Sequence, residues 1–271
     1  MIKVIVAFDG QHFSTGAMRM AQWLNKKMPV LISGVFISPV DYRELLGYSG
    51  MGVGAPVFTV PYDNDDKLVE ETMNRFVHYC EENKLEFVTH KDTDLFALAE
   101  LIHETRFADV LIISSEMFYE NIDKDQPNDY LKKVLHESEC PVLLVPEGFT
   151  DPTSVILSYD GKASSVYAIK QFAYLFPSCC NMGTMLFHAS GAEIPQAERL
   201  RELVERHFEP IDIEQLNEED SAALHDWMLD NQHSILVSGA FGRGELSSLF
   251  RKSYITDVIK AHKIPVFIAH K

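Results

Sequence analysis

Cationic residues are scarce in this chain: 24 lysines and arginines stand against 40 aspartates and glutamates, for a net charge of -16. Both nucleic acid and anionic membrane surfaces are captured by basic patches, so neither is expected as the main partner. Cysteine is scarcer still. Cys80, Cys140, Cys179 and Cys180 show no C-x-x-C spacing, and four thiols among 271 residues do not make a disulfide framework. The vicinal Cys179-Cys180 pair would sense redox state only if exposed and activated, so all four read as reduced structural residues. His136 with Cys140, and His262 with His270, lack the paired spacing of a zinc or iron site. No G-x-S-x-G elbow occurs, and Ser14, Ser164 and Ser165 read as helix caps rather than nucleophiles. Long apolar runs are missing as well, none approaching the roughly 18 to 20 uncharged residues of a membrane-spanning helix. The opening Met1-Ile-Lys-Val-Ile-Val-Ala-Phe-Asp9 is too short for a signal h-region and reads as a buried first strand, which places the chain in the cytoplasm.

What remains is a globular balance of 46% hydrophobic and 24% charged residues, at a length that suits two ordinary domains. The chain repeats itself. Val4-Ile-Val-Ala-Phe-Asp-Gly10 is echoed by Val155-Ile-Leu-Ser-Tyr-Asp-Gly161 at an offset of 151, with Ser14 matching Ser165 and Ala17 matching Ala168. Further on, the twelve residues Val134 to Val145 match Val258 to Ala269 at an offset of 124, each reading as helix, proline, strand. The first copy therefore carries 27 extra residues between its matched ends. Gly47, Gly50, Gly52, Gly54, Pro56 and Pro61 locate the surplus in an insertion over 42–66, a composition that favours turns over helix.

Within each copy, apolar runs of four to eight residues alternate with helical periodicity, the signature of βαβ units around a parallel sheet. Strands are predicted near 2–8, 30–37, 85–90, 108–113 and 141–145, with helices near 14–26, 66–83, 94–106 and 127–138. The second copy gives strands near 153–159, 183–189, 209–215, 234–238 and 265–269, and helices near 163–176, 194–207, 219–231 and 253–263. The fold class is thus α/β, two repeated five-stranded parallel-sheet doubly wound domains of Rossmann-like form, spanning 1–148 and 149–271. Prolines and glycine in Pro146-Glu-Gly-Phe-Thr-Asp-Pro152 make the link between them a stiff turn.

Ligands of doubly wound sheets collect beyond the carboxyl ends of the strands. Asp9 and Asp160 sit at such ends, where a carboxylate either caps the following helix or accepts hydrogen bonds from a ribose or base. After the fourth strand of the second copy comes Ser238-Gly-Ala-Phe-Gly-Arg-Gly-Glu-Leu-Ser-Ser-Leu-Phe-Arg-Lys-Ser253. Gly239, Gly242 and Gly244 allow close backbone approach, and Arg243, Arg251 and Lys252 against Glu245 leave residues 240–253 with a net +2 inside an acidic protein. The offset of 124 supplies an internal control. Gly239, Gly242, Gly244, Lys252 and Ser253 map onto Ser115, Phe118, Glu120, Asn128 and Asp129, and residues 116–129 carry a net -4. A phosphate would be repelled there, so any nucleotide belongs to the second copy.

Taken together, these residues resemble the universal stress protein family in its tandem form, over nearly the whole chain. Nucleotide-binding members of that family, with an adenine nucleotide alpha-hydrolase-like fold, carry a strand-end Asp, a Leu-Leu-His-Val-like second strand and a loop of the form G-x2-G-x9-G-[S/T]. Asp160 matches the first, Met185-Leu-Phe-His-Ala189 the second, and Gly239, Gly242 and Ser253 three of the loop's four fixed positions. Lys252 replaces the fourth, a glycine, and either blocks the phosphates by its bulk or binds them as a point charge beside Arg243 or Arg251. The resemblance implies an adenine nucleotide, ATP (with Mg) or AMP, held as a regulatory ligand by Asp160, Ala189, Gly239, Gly242, Arg243, Lys252 and Ser253. It also implies a role in stress response, and an intrachain pseudo-dimer joined through strands 141–145 and 265–269, with a homodimer open beyond that. No dedicated catalysis is expected, at most slow ATP hydrolysis, because the loop lacks a metal-binding carboxylate pair. A scaffold with no nucleotide, acting through its surfaces, is the alternative; a lipid or small molecule under the 42–66 segment ranks last.

Overall fold

The computed structural model describes residues 1–9, 12–37, 63–92, 97–116, 129–188, 193–215, 231–239, 258, 259 and 261–269. Ten strands form one sheet: β1 Ile2–Phe8, β2 Val30–Ile37, β3 Glu86–Asp92, β4 Val110–Ser114, β5 Val142–Val145, β6 Ser154–Ser158, β7 Gly183–His188, β8 Ile211–Gln215, β9 Ser234–Gly239 and β10 Val266–Ala269. Their order is β3-β2-β1-β4-β5-β10-β9-β6-β7-β8. Read outward from the middle, β5-β4-β1-β2-β3 and β10-β9-β6-β7-β8 follow one pattern. All pairings described are parallel except β5 with β10, which is antiparallel in the register Val266 to Leu144, Phe267 to Leu143 and Ile268 to Val142. The fold is therefore α/β around a mostly parallel sheet, and the seam falls on the two strands expected to form it.

Helices α1 Thr15–Lys27, α2 Asp63–Glu82, α5 Ala163–Leu175 and α6 Ala197–His207 cover one face. Helices α3 Ala97–Thr105 and α4 Asp129–Glu137 cover the other, together with a helical turn at Val258 and Ile259. The central strands explain the layering. Val4, Val6 and Phe8 of β1 pack under α1 and α2, while Ile5 and Ala7 point the opposite way toward α3 and α4, all of them fully buried. At roughly 25 cal/mol per Å2 of apolar surface, each buried Val, Ile or Phe contributes about 1.5 to 3 kcal/mol, so β1 anchors both layers.

Element ends follow local chemistry. Ser14 caps α1, its Oγ accepting from the Ala17 N–H at 3.1 Å, and Lys26 and Lys27 lie at the carboxyl end where the helix dipole favours cations. The expected serine caps of α5 are not formed: Lys162 holds the N-cap position without a side-chain bond, and Ser165 Oγ donates instead to the Lys162 carbonyl at 2.9 Å. Helix α2 begins at Asp63, so the last residues of the expected 42–66 insertion are its first turn; four polar residues, three of them acidic, suit a helix amino end. The rest of that insertion lies outside the described residues, as does most of the helix expected over 219–231. The link between β5 and β6 is a turn closed by the Phe149 N–H on the Pro146 carbonyl at 3.0 Å, with Phe149 fully buried beneath the Arg19 guanidinium. All four cysteines are buried, and burial pushes Cys80, Cys140 and Cys179 up to about 12 and Cys180 to about 11, so none is activated.

Candidate functional site

Strands β6, β7 and β9 are neighbours whose carboxyl ends lie on one rim. Leu157 pairs with Val237 and Ser158 with Phe187, which brings Tyr159, His188 and Gly239 level, with Asp160 one residue beyond. Asp160 and Gly239, two of the expected nucleotide contacts, are thus brought together. Ala189, Gly242, Arg243, Lys252 and Ser253 lie outside the described residues.

Asp160 has a local job. Its Oδ1 accepts from the Lys162 N–H at 2.9 Å, Oδ2 stands 3.9 Å from the Lys162 ammonium, and the side chain is 43% exposed. The turn reading therefore holds, while the exposed carboxylate still faces solvent beside Gly161, whose φ of +80° a side chain would strain. Asp9 does the same in the first half, accepting the His12 N–H at 2.8 Å and facing the His12 ring nitrogen at 2.9 Å. Gly239 is required by packing: a Cβ there would stand 2.5 Å from Ser165 N and 2.6 Å from Ser164 O, the backbone of the first turn of α5. The missing side chain admits the helix amino end against the strand end.

Three residues beside them carry polarity to which the sequence pattern assigns no role. Tyr159 is buried, its hydroxyl donating to the Pro195 carbonyl at 2.8 Å; burial first, and the Asp160 carboxylate second, raise its pKa and keep the phenol protonated. His188 is 4% exposed, with Nδ1 2.8 Å from the Tyr159 carbonyl. A carbonyl only accepts, so Nδ1 carries the proton and a neutral ring has its lone pair on Nε2. That nitrogen is buried and has no hydrogen-bond partner among the described residues. Pro195 packs over Gly161, its Cγ 2.9 Å from where a Cβ would stand. The signal was available in the repeat, because Tyr159 and His188 replace Phe8 and Phe36 at the same register of β1 and β2.

The corresponding end of the first half is closed. Phe8 stacks on Phe36 at 5.0 Å and on Phe13 at 5.6 Å, and Phe76 meets both Phe8 and Phe36 edge-on. The chain's own carboxylates take up polar groups nearby. Glu116 accepts from Ser115 Oγ at 2.9 Å and from the Glu147 N–H at 2.9 Å, and Glu147 accepts from the Gly16 N–H at 3.1 Å in the first turn of α1. His262, from the segment leading into β10, reaches Ser115 Oγ at 2.9 Å. Since the serine proton goes to Glu116, His262 Nδ1 donates. Burial lowers the His262 pKa, against a smaller raising effect of Glu116. Among the described residues no cluster of three or more His, Cys, Asp or Glu could hold a metal ion, and no helix is long and apolar enough to cross a membrane.

Comparison with solved structures agrees with this architecture. A universal stress protein from Archaeoglobus fulgidus superposes with a TM-score of 0.66 at 14% identity, covering 100% of this chain and 96% of the other. A candidate universal stress protein of Pseudomonas aeruginosa UCBPP-PA14 gives 0.56 at 11% identity, with 100% and 93% covered. A protein of unknown function from Pseudomonas aeruginosa PAO1 gives 0.57 at 11%, with 100% and 92% covered. At these identities the likeness establishes the fold: this chain has the universal stress protein fold. No protein-family model and no curated protein matches its sequence.

Proposed function

We propose that this chain is a tandem universal stress protein, with domains at 1–148 and 149–271, whose second domain holds an adenine nucleotide as a regulatory ligand. ATP with Mg, or AMP, would lie beyond β6, β7 and β9 against Asp160, Ala189, Gly239, Gly242, Arg243, Lys252 and Ser253. One observation carries the reading: the second-half strand ends hold the polar Tyr159 and His188, the latter with an acceptor that has no partner among the described residues, where the first half is filled by phenylalanines. A second difference agrees. Helix α5 has no side-chain cap, whereas α1 is capped by Ser14 and its Gly16 N–H is taken by Glu147. The chain would act in the cytoplasm in response to stress, as a binding protein.

Isothermal titration of ATP with magnesium tests it, beside Lys252→Gly, which restores the family's loop. Saturable one-site binding by the parent is the expected result. Binding by the variant alone would mean that Lys252 closes the site. That outcome would promote a second reading, a scaffold acting through its surfaces, which Pro195 crowding the Gly161 turn favours.

A further inference from the structure

We infer that His188 reads the nucleoside part of the ligand, accepting a hydrogen bond through Nε2 from an N–H or O–H of the base or sugar; this rests on the nucleotide reading above. Three observations meet on this ring. Its tautomer is set by the Tyr159 carbonyl at 2.8 Å, so the neutral imidazole offers an acceptor at Nε2. That acceptor is buried without a partner among the described residues, in a side chain only 4% exposed, a situation proteins rarely leave unrelieved. The fold itself does not demand a histidine there, because the matching strand position of the first half holds Phe36, fully buried and stacked on Phe8. His188 is also the last residue of β7, level with the residue preceding Asp160, on the rim where a doubly wound sheet receives its ligands.

The chemistry of the acceptor narrows what it can meet. Phosphate oxygens, ionised at neutral pH, only accept, and two acceptors repel. For the neutral ring the donor therefore comes from an amine, ring N–H or hydroxyl of the nucleoside, and the His188 contribution does not depend on the number of phosphates.

The test is titration of adenosine, AMP and ATP into the parent, His188→Phe and His188→Gln. His188→Phe, which copies the first half, is expected to weaken all three ligands by the same factor, about tenfold for one lost hydrogen bond. Its ligand-free melting temperature should equal or exceed that of the parent, while His188→Gln, whose amide oxygen accepts, should recover part of the affinity. In the parent, the 15N resonance of Nε2 should move toward the hydrogen-bonded position on addition of adenosine, a reading that needs no variant to fold. Unchanged affinity of both variants would overturn the inference and leave the nucleotide reading standing. An Nε2 resonance already hydrogen-bonded in the ligand-free protein would do the same. Failure of the parent to bind any of the three would overturn both.

Discussion

The two ends of the sheet began as one pattern and were finished with different chemistry. At the end of β1 and β2, Phe8 and Phe36 stack in parallel, Phe76 closes on them edge-first, and Gly34 makes room for the Phe76 ring, which would lie 2.8 Å from any Cβ there. At the end of β6 and β7 the same positions are Tyr159 and His188, 6.2 Å apart and tilted, each spending a hydrogen bond on backbone carbonyls. One end is filled by packed rings; the other holds a buried nitrogen with no partner among the described residues, a group that costs about 1 to 3 kcal/mol when left unpaired. Helix amino ends diverge too, since Ser14 caps α1 and Glu147 from the linker takes its Gly16 N–H, while the N-cap Lys162 of α5 makes no side-chain bond.

The largest way to break this contrast is Phe36→His, which writes the second half's residue into the first. Removing a ring from the stack and burying an imidazole without a donor should cost about 3 kcal/mol in urea unfolding. A loss below about 1 kcal/mol would mean that the stack is not what closes that end. Next comes Gly239→Ala, which pushes a methyl into the backbone of Ser164 and Ser165 and should cost about 2 kcal/mol, as overpacking does. If stability is kept and ATP binding alone is lost, Gly239 serves the ligand rather than the helix. The smallest effect sharpens the seam. The folded state lowers the His262 pKa, so its contribution is complete above the ordinary imidazole value of about 6.5 and is lost as pH falls through the depressed value. His262→Asn should keep a donor for Ser115 and accept the φ of +47° that His262 adopts. Melting curves between pH 5 and 8 should therefore fall less steeply on the acid side for the variant; coincident curves would assign that acid sensitivity to other groups.

Much of this was legible in the sequence, and the misses have physical causes. Apolar runs bounded by turn residues located all ten strands, because parallel strands buried on both faces leave little choice of residue, as Val4 to Phe8 show. The proline-strand repeat located the seam, since Pro141 and Pro265 each precede a strand that pairs at the sheet centre. The pattern marks Gly239 as a position that does without a side chain, but a sequence does not say which neighbour requires this, and here a helix backbone does. Ser165 resembled Ser14, yet α5 starts earlier relative to the repeat and leaves that serine inside the first turn. In the sequence His188 is only one letter of a strand pattern; that its Nε2 lacks a partner among the described residues follows from burial and from the Tyr159 carbonyl, neither of which spacing reveals.

Because β5 and β10 run in opposite directions, the carboxyl ends of β1–β5 and of β6–β10 open on opposite rims of a single sheet. A molecule gripping one rim leaves the other uncovered. In a symmetric pair of identical subunits each mutation is copied to both rims at once, so neither could be filled without the other. Here each rim is spelled by its own stretch of gene, and Phe36 and His188 could part company one codon at a time.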